Sequence, residues 1–288
     1  MSEQIKLDIT SGIGVLTLSR PESFNSFHAA MIGNLAEKLI RLYSNDDILG
    51  VVLTGEGKAF CTGADLKWLS GCGMAPGAAL HGLAALYHQA ISEIRRMPKP
   101  VVAAVNGLAA GGGFSMALAC DFRVMARSAV FRQAYTSNGL SIDGGGTYTL
   151  PRLVGLAKAM EIAALDRPIS ADQALIWGLA TEVVEDGQAV DRAVAMVREI
   201  VERPLSSFQA SKKLLTDSFH TSFEHQLERE REFLSWAADH PNGLEGIKAF
   251  VEKRKPVYNR RERGAQSREG NTPTTVLPSP QQEVTSDE

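Results

Sequence analysis

The chain has 288 residues, of which 44% are hydrophobic, so it can bury one large core, and its formal net charge of −3 argues against nucleic-acid binding. Three cysteines without Cys-x-x-Cys spacing favour a reducing compartment and argue against a disulfide framework or a structural metal site. No apolar run of about 18 residues is present, so the sequence predicts a cytoplasmic protein with no membrane span and no signal peptide.

Strand-like and helix-like patterns alternate along residues 5–184, which predicts an α/β core with mostly parallel strands. Strands are indicated by alternation or short apolar runs, and helices by apolar residues three and four positions apart. Residues 70–77, rich in glycine and proline, are predicted to form a mobile lid. In chain order the elements are a hairpin (5–10 and 13–19), a helix (27–43), a strand (50–55), a helix (80–97), a strand (101–105), a helix (114–119), two strands (122–125 and 129–131), three helices (one ending near residue 155, then 158–164 and 171–177) and a strand (181–184).

From residue 189 the pattern is entirely helical. These helices are amphipathic, so they must pack against their own core or against a neighbouring subunit. Residues 260–288 are polar and rich in proline, serine and threonine, which predicts a disordered tail. We therefore divide the chain into a core (1–200), a helical C-terminal region (201–259) and a tail (260–288). The predicted helices of the C-terminal part span residues 189–202, 206–218, 223–238 and 243–253.

Three consecutive glycines, Gly111 to Gly113, follow the predicted strand 101–105 and open a predicted helix. Such a turn allows close approach to the backbone and leaves free N–H groups at the positive end of the helix dipole. A dinucleotide fingerprint fits poorly, because Met116 stands where a small residue is needed and no acid follows about 20 residues later. The pattern favours an oxyanion site, with an ordinary tight turn as the alternative.

Two loops together resemble the crotonase (enoyl-CoA hydratase/isomerase) superfamily. They are Gly57-Lys-Ala-Phe-Cys-Thr-Gly-Ala-Asp-Leu-Lys67 and Ala104-Val-Asn-Gly with the following glycine triplet, and Leu150-Pro-Arg-Leu-Val-Gly155 and Ala249-Phe-Val-Glu-Lys-Arg254 extend the match. The resemblance covers about residues 5–258. It implies an α/β fold, a spiral of ββα turns with a helical C-terminal region that builds homotrimers, often paired into hexamers. It also implies an acyl-CoA thioester substrate and no separate cofactor.

The resemblance assigns roles to single residues. A thioester enolate would be stabilised by the backbone N–H groups of Ala64 and Gly112. The residues that the resemblance implies for coenzyme A binding are Phe24, Lys58, Ala64, Asp65, Leu66 and Lys67, together with Phe250 and Lys253, which would reach the nucleotide end from a neighbouring subunit. For Lys253 the alternative is an ordinary solvated charge on a helix.

The acids of the family's hydratases are absent from this chain. Hydratases carry one glutamate after the glycine triplet and a second after the next strand, and these positions hold Ser115 and Tyr135. Water addition needs both a base and an acid, so the sequence disfavours hydration. Asp143, in Leu140-Ser-Ile-Asp-Gly-Gly-Gly-Thr147, resembles the aspartate of members that move double bonds by carrying one proton between two carbons. The alternative is that Asp143 only caps the following helix.

His88 in the predicted helix 80–97 permits a second reaction. Members of the family that dehalogenate 4-chlorobenzoyl-CoA carry a histidine in this helix and an aspartate at the Asp143 position, but a tryptophan where this chain has Tyr135. We rank isomerisation first, Asp143-dependent hydrolysis second and hydration third, with an acyl-CoA-binding relic as the non-enzyme alternative. The acyl pocket is predicted to be lined from Trp68 through the glycine- and proline-rich segment and by Phe114 and Tyr135, which does not identify the acyl group.

Overall fold

The computed structural model describes residues 3–259, so the predicted tail lies outside the described residues. The chain divides after Ile200 into two compact units. No helix within the described range is long and apolar enough to cross a membrane. The strands of the first unit are β1 (Ile5–Thr10), β2 (Ile13–Leu18), β3 (Gly50–Gly55), β4 (Ala59–Cys61), β5 (Val101–Val105), β6 (Leu108–Ala110), β7 (Phe122–Ala126), β8 (Val130–Arg132), β9 (Ile169–Ser170) and β10 (Glu182–Val184).

Up to the final strand the helices lie between strands along the chain, and the last four described helices follow that strand. The two longest helices of the first unit bury the face that carries their spaced apolar residues. The helices are α1 (Ala29–Ser44), α2 (Leu66–Gly71), α3 (Pro76–Arg96), α4 (Gly112–Ala119), α5 (Gly146–Val154), α6 (Leu156–Leu165), α7 (Ala171–Ile176), α8 (Ala189–Val201), α9 (Leu205–Asp217), α10 (Phe223–Asp239) and α11 (Pro241–Val251).

The strands form two sheets. The larger sheet has the order β1-β2-β3-β5-β7-β10, and apart from the antiparallel β1–β2 hairpin its neighbours are parallel. The smaller sheet has the order β4-β6-β8-β9. After each of β3, β5 and β7 the chain places a short strand in the smaller sheet and returns through helical structure. This repeated ββα turn confirms the predicted fold class.

The central elements are buried on all sides. Every residue of β3 and β5 is buried, which explains why both are continuous apolar runs rather than alternating ones. All eight residues of α4 are buried as well, and an apolar sequence all round is typical of such a helix. Gly112 and Ser115 are therefore placed inside the spiral and not on its surface.

The predicted lid, residues 70–77, is helical at both ends. Ser70 and Gly71 close α2, while Pro76 and Gly77 form the first turn of α3, so only residues 72–75 connect the two helices. Proline is favoured at the first position of a helix, because the N–H of that residue would have no acceptor within the helix. Helix α3 consequently begins four residues earlier than the predicted helix 80–97.

The second unit consists of α9, α10 and α11, which agree with the predicted helices within two residues. Many large apolar side chains of this unit are exposed, and Phe250 has 84% of its surface accessible. Exposed apolar area of this extent is typical of surfaces that meet another chain. Trimerisation and hexamer formation stay predictions. Besides Phe250, the exposed set includes Leu215, Phe219, Phe223, Leu234 and Val251.

Candidate active site

A cavity of about 370 Å³ opens beside α3 and the loops that precede α2, α4 and α5. Its walls are largely apolar and include Phe27, Leu66, Leu83 and Leu140. A concave apolar cavity with a few convergent polar groups is the usual form of a small-molecule site.

Two glycine loops meet at the wall of this cavity. A Cβ atom built on Gly63 would lie 2.7 Å from the backbone nitrogen of Gly112, so the two backbones approach more closely than a side chain allows. The Phe27 N–H donates to Gly63 O at 2.8 Å, and Phe27 O accepts from Asp65 N–H at 2.9 Å. Because backbone groups alternate in direction along extended chain, the N–H of the intervening Ala64 points away from Phe27.

Helix α4 presents its N-terminus to the same cavity. Gly111 precedes the helix with a φ of 53°, and Gly111, Gly112 and Ala64 all line the cavity. N–H groups of a first helical turn have no intrahelical acceptor. Those of Gly112 and Ala64 donate to no acceptor in the part of the chain that the structure describes. The structure thus brings the two predicted donors together in an arrangement suited to an oxyanion.

Asp143 supplies the one carboxylate that lines the cavity among the described residues. The Tyr135 hydroxyl donates a hydrogen bond to Asp143 Oδ1. Burial raises the pKa of Asp143, whereas the Tyr135 hydrogen bond and nearby His88 oppose the rise. Burial and the charge of Asp143 raise the pKa of Tyr135, so the phenol stays protonated as a donor.

The alternative role of Asp143 as a helix cap is wrong. Helix α5 begins at Gly146, its N-cap is Gly145, and no side chain caps it. Gly145 has a φ of 74°, a conformation that glycine adopts without strain. The Asp143 side chain is 35% exposed and therefore free for other chemistry.

His88 lies on α3 next to the aspartate. Its Nε2 is 3.9 Å from Asp143 Oδ2 and accepts a hydrogen bond from the Gly144 N–H at 3.2 Å. The His88 side chain is half exposed and does not line the cavity, whereas His81, two turns earlier on α3, does. The sequence predicted His88 as a candidate site residue and did not predict His81.

Tyr87 is a site residue that the sequence analysis missed. Its side chain is fully buried, and its hydroxyl donates to the carbonyl oxygen of Gly112. The Tyr87 ring lies 4.8 Å from the Phe27 ring, centroid to centroid, and a side chain at Gly144 would overlap it. In the sequence Tyr87 belongs to the apolar stripe of the helix, so no local pattern marks its polar role.

Ser115 occupies the position of the first hydratase glutamate. The residue is 1% exposed, and its side chain lies beside the Tyr135 hydroxyl. A Cβ atom built on Gly146 would lie 2.7 Å from Ser115 Oγ, so the backbone of α5 fills the space that a longer acid would need. The local packing therefore matches the absence of a carboxylate here.

Asp65 organises the start of α2. Its Oδ1 accepts from the N–H groups of Lys67 and Trp68, each at 3.0 Å, and its Oδ2 pairs with Arg20 at 3.0 Å. Burial opposes ionisation, but the hydrogen bonds from Trp68 and Arg20 hold the pKa of Asp65 below its usual range. These contacts give Asp65 a capping role. Of the predicted neighbours, Leu66 lines the cavity and Lys67 is exposed.

The other residues predicted for coenzyme A are exposed, and in the first unit neither Phe24 nor Lys58 lines the cavity. Phe24 is 52% exposed, with a φ of 52°, and its carbonyl accepts from Thr62 Oγ1 at 3.3 Å. Lys58 is exposed on the loop before β4. Phe250 and Lys253 are exposed in the second unit. Their contacts with coenzyme A stay predictions.

The predicted acyl pocket needs correction at two residues. Phe114 is fully buried and packs on Phe131, with 4.7 Å between ring centroids, so it belongs to the core. Trp68 lies 6.4 Å from His28, ring to ring, and does not line the cavity. A phenylalanine in a helix that is apolar all round fills the core more often than it lines a pocket. Tyr135 does line the cavity, as predicted.

Asp166 anchors the loop that carries Tyr135. Ala134 has a φ of 53°, unusual for a residue with a side chain, and its N–H donates to Asp166 Oδ1 at 2.6 Å. Arg132 Nε lies 3.6 Å from the same oxygen. Burial works against the charge, yet hydrogen bonds from Ser137 and Ala134 hold the pKa of Asp166 below its usual range. This loop conformation was not predictable from the sequence.

Comparison with known proteins agrees with this geometry. A family model described as enoyl-CoA hydratase/isomerase matches residues 8–261. The 1,2-epoxyphenylacetyl-CoA isomerase of Escherichia coli (strain K12) is 36% identical over 260 residues, which are 90% of this chain and 99% of that relative.

Two further similarities name other reactions. The 4-chlorobenzoyl coenzyme A dehalogenase-2 of Arthrobacter sp is 32% identical over 253 residues, 86% of this chain and 91% of the relative. The crystal structure of an enoyl-CoA hydratase from Polaromonas sp. JS666 has a TM-score of 0.83 and 38% identity, and covers 88% of this chain and 99% of that one. The chain therefore belongs to the enoyl-CoA hydratase/isomerase family, within the crotonase superfamily.

Proposed function

We propose that this enzyme isomerises the double bond of an enoyl-CoA thioester, with Asp143 as the group that removes and returns the proton. The observation that carries the proposal is a lone carboxylate in the same cavity as the free N–H groups of Ala64 and Gly112. One carboxylate suffices for this reaction, because the proton taken from one carbon is given to another.

The proposed step conserves atoms and electrons. Asp143 removes a proton from the α- or γ-carbon, and the electron pair of that C–H bond moves into the conjugated system and onto the thioester oxygen. The Ala64 and Gly112 N–H groups hydrogen-bond that oxyanion, a contact that strengthens as the charge develops. The protonated Asp143 then delivers the proton to the other carbon, and the double bond forms at its new place.

The surroundings of Asp143 support its role as a base. Burial raises the pKa of a carboxylate towards the operating pH, which improves proton transfer. The Escherichia coli relative carries the name of an isomerase that acts on a CoA ester, which also favours isomerisation.

Hydrolysis that depends on Asp143 and His88 is the second candidate. The distance of 3.9 Å between His88 Nε2 and Asp143 Oδ2 and the similarity to a dehalogenase favour it. Against it, the lone pair that would activate water already accepts the Gly144 N–H. Hydration ranks third, because the cavity holds no second carboxylate in the described part of the chain.

The test is turnover of a panel of 3-enoyl-CoA esters by wild type and Asp143→Asn, followed by the absorbance of the conjugated 2-enoyl product. We expect Asp143→Asn to lose about 10²- to 10⁴-fold in kcat, the usual contribution of a general acid–base group. Binding of the CoA ester should persist in this variant. The matched control is Asp172→Asn, since Asp172 is an exposed residue whose carboxylate pairs with Arg127.

A deuterium label sharpens this test. Label placed at the α-carbon should appear in part at the γ-carbon of the product, since one carboxylate carries the proton. Equal inactivity of wild type and Asp143→Asn with all esters, while both bind them, would sink the isomerase proposal. Chloride release from 4-chlorobenzoyl-CoA by the wild type would promote the hydrolytic candidate instead.

A further inference from the structure

His88 contacts the catalytic loop through a hydrogen bond that fixes its chemical form. Nε2 accepts the Gly144 N–H at 3.2 Å, and Gly144 directly follows Asp143. An imidazole nitrogen that accepts a hydrogen bond carries no proton, so the neutral ring must be protonated on Nδ1. The same Nε2 therefore cannot donate to Asp143 Oδ2, although the two atoms are 3.9 Å apart.

Gly144 is held from two sides by consecutive residues of α3. Its φ of 60° and the Tyr87 ring against its Cα exclude a side chain at this position. His88 then fixes the direction of the N–H that a turn of this kind would otherwise expose to solvent. Rotation of this peptide would also turn the adjoining Asp143, so the hydrogen bond restrains the carboxylate.

We propose that His88 is a positioning residue for Asp143 and not a base that activates water. The proposal rests on the isomerase function proposed above for its kinetic consequence, but the hydrogen bond to Gly144 exists independently of any reaction. His88 acts through the loop, because its lone pair is occupied and its ring does not line the cavity.

Protonation of His88 would reverse this contact. Nε2 would become a donor, the Gly144 N–H would lose its acceptor, and the imidazolium would face Asp143 Oδ2 as a counter-ion. Such a charge stabilises the carboxylate and makes it a weaker base.

The groups that face His88 are few. The Asp143 carboxylate lies across from it, and the Tyr135 phenol occupies the other carboxylate oxygen. On α3 itself the Tyr87 ring is 6.0 Å away, centroid to centroid, and His81 stands two turns earlier. The residues three and four positions away on the helix are uncharged: Ala84, Ala85, Ile91 and Ser92.

The tautomer can be read without turnover by long-range ¹H–¹⁵N NMR on the full chain labelled with ¹⁵N-histidine. The His88 signals are identified by their absence from His88→Gln. We expect the neutral ring to carry its proton on Nδ1. A ring protonated on Nε2 would overturn the proposal, because such a nitrogen cannot accept the Gly144 N–H.

Kinetics of two substitutions provide the second arm. His88→Ala removes the acceptor and should lower kcat about tenfold with little change in KM, the size expected for one lost hydrogen bond. His88→Gln can accept the N–H through Oε1 and never becomes charged. It should recover part of the loss. Equal losses in both variants would overturn the positioning role.

The two arms separate this proposal from the proposed function. An Nδ1-protonated ring in an enzyme that turns over no enoyl-CoA would sink the isomerase proposal and support the contact between His88 and Gly144. Complete loss of chloride release from 4-chlorobenzoyl-CoA in His88→Gln would instead show that His88 activates water and would overturn the positioning role.

Discussion

The surroundings of Asp143 act on its pKa in two opposite directions. Burial raises its pKa and makes the carboxylate a better base, while the hydrogen bond from Tyr135 and nearby His88 act in the opposite direction. A base with a pKa far above neutrality would be protonated and idle, and one far below would be too weak. The hydrogen bond from Tyr135 therefore limits the rise in the pKa of Asp143 that burial causes.

Replacing Tyr135 with phenylalanine tests this balance. The change removes the hydroxyl that lowers the pKa of Asp143, so that pKa should rise. Isomerisation needs the ionised carboxylate, and activity therefore rises with pH through this pKa. The acid limb of the kcat profile should move to higher pH in Tyr135→Phe. An acid limb that stays in place, or moves to lower pH, would contradict the assigned role of the phenol.

At the scale of the secondary-structure elements, the end of α1 depends on a residue that follows α3. Lys99 is buried, and its ammonium donates to the carbonyl oxygens of Leu42 at 2.6 Å, Tyr43 at 3.1 Å and Asn45 at 2.7 Å. These carbonyls belong to the last turn of α1 and the residue after it, where intrahelical donors are missing. A cation here also complements the negative end of the helix dipole. Lys99 thus joins two helices that pack side by side.

Lys99→Met should cost about 1.5–3 kcal/mol of unfolding free energy, the range for hydrogen bonds to a charged group. Methionine keeps much of the side-chain volume, so the loss reports on the ammonium. Lys6→Met is the matched control, because Lys6 pairs with Glu56 at the surface, where ion pairs contribute about 0–1 kcal/mol. Urea unfolding at one protein concentration measures both variants. Equal small losses would show that the ammonium does not stabilise the end of α1.

At the scale of the whole molecule, successive turns of the spiral are packed backbone against backbone. A Cβ atom added at Gly113 would overlap the Cys61 carbonyl, which belongs to a strand of the preceding turn. The Cys61 thiol is itself fully buried, and burial raises its pKa to about 12, so it stays neutral within this contact. The oxyanion donors owe their closeness to this packing, since Gly112 starts the same helix.

Gly113→Ala should lower the unfolding free energy by about 2–3 kcal/mol, the upper part of the usual range for overpacking. The added Cβ would contact backbone atoms, which cannot move aside as a flexible side chain does. Gly82→Ala is the opposite case: it lies inside α3 with no atom within 4 Å of the added Cβ. Gly82→Ala should raise the unfolding free energy by about 0.5–1 kcal/mol. Similar unfolding midpoints for both variants would argue against tight packing between turns.

The sequence predicted the elements that carry a long pattern and missed those that do not. Strands β3 and β5 match their predicted ranges because each contains a short apolar run, residues 51–53 and 101–105, that is typical of a buried strand. Of the smaller sheet only β8 was predicted, as residues 129–131. Strands β4 and β6 have three residues each, too few to show a period, and were missed. The glycine loops were predicted from composition. Tyr87 was missed because its hydroxyl finds Gly112 only after the chain has folded.

Helix α3 separates two functions along its length. Its first turns place Gly77, Leu80 and Ala84 at the wall of the cavity, while Tyr87 and His88 in the next turn hydrogen-bond the loops that carry Gly112 and Asp143. Substitutions in the first turns can therefore change which acyl group the cavity accepts and leave the reaction unchanged. A one-residue insertion between Ala84 and Tyr87 would rotate Tyr87 and His88 by about 100° relative to the first turns, and we expect it to abolish activity with every substrate. Divergence of this enzyme towards new thioesters should thus follow substitutions, and not length changes, within this helix.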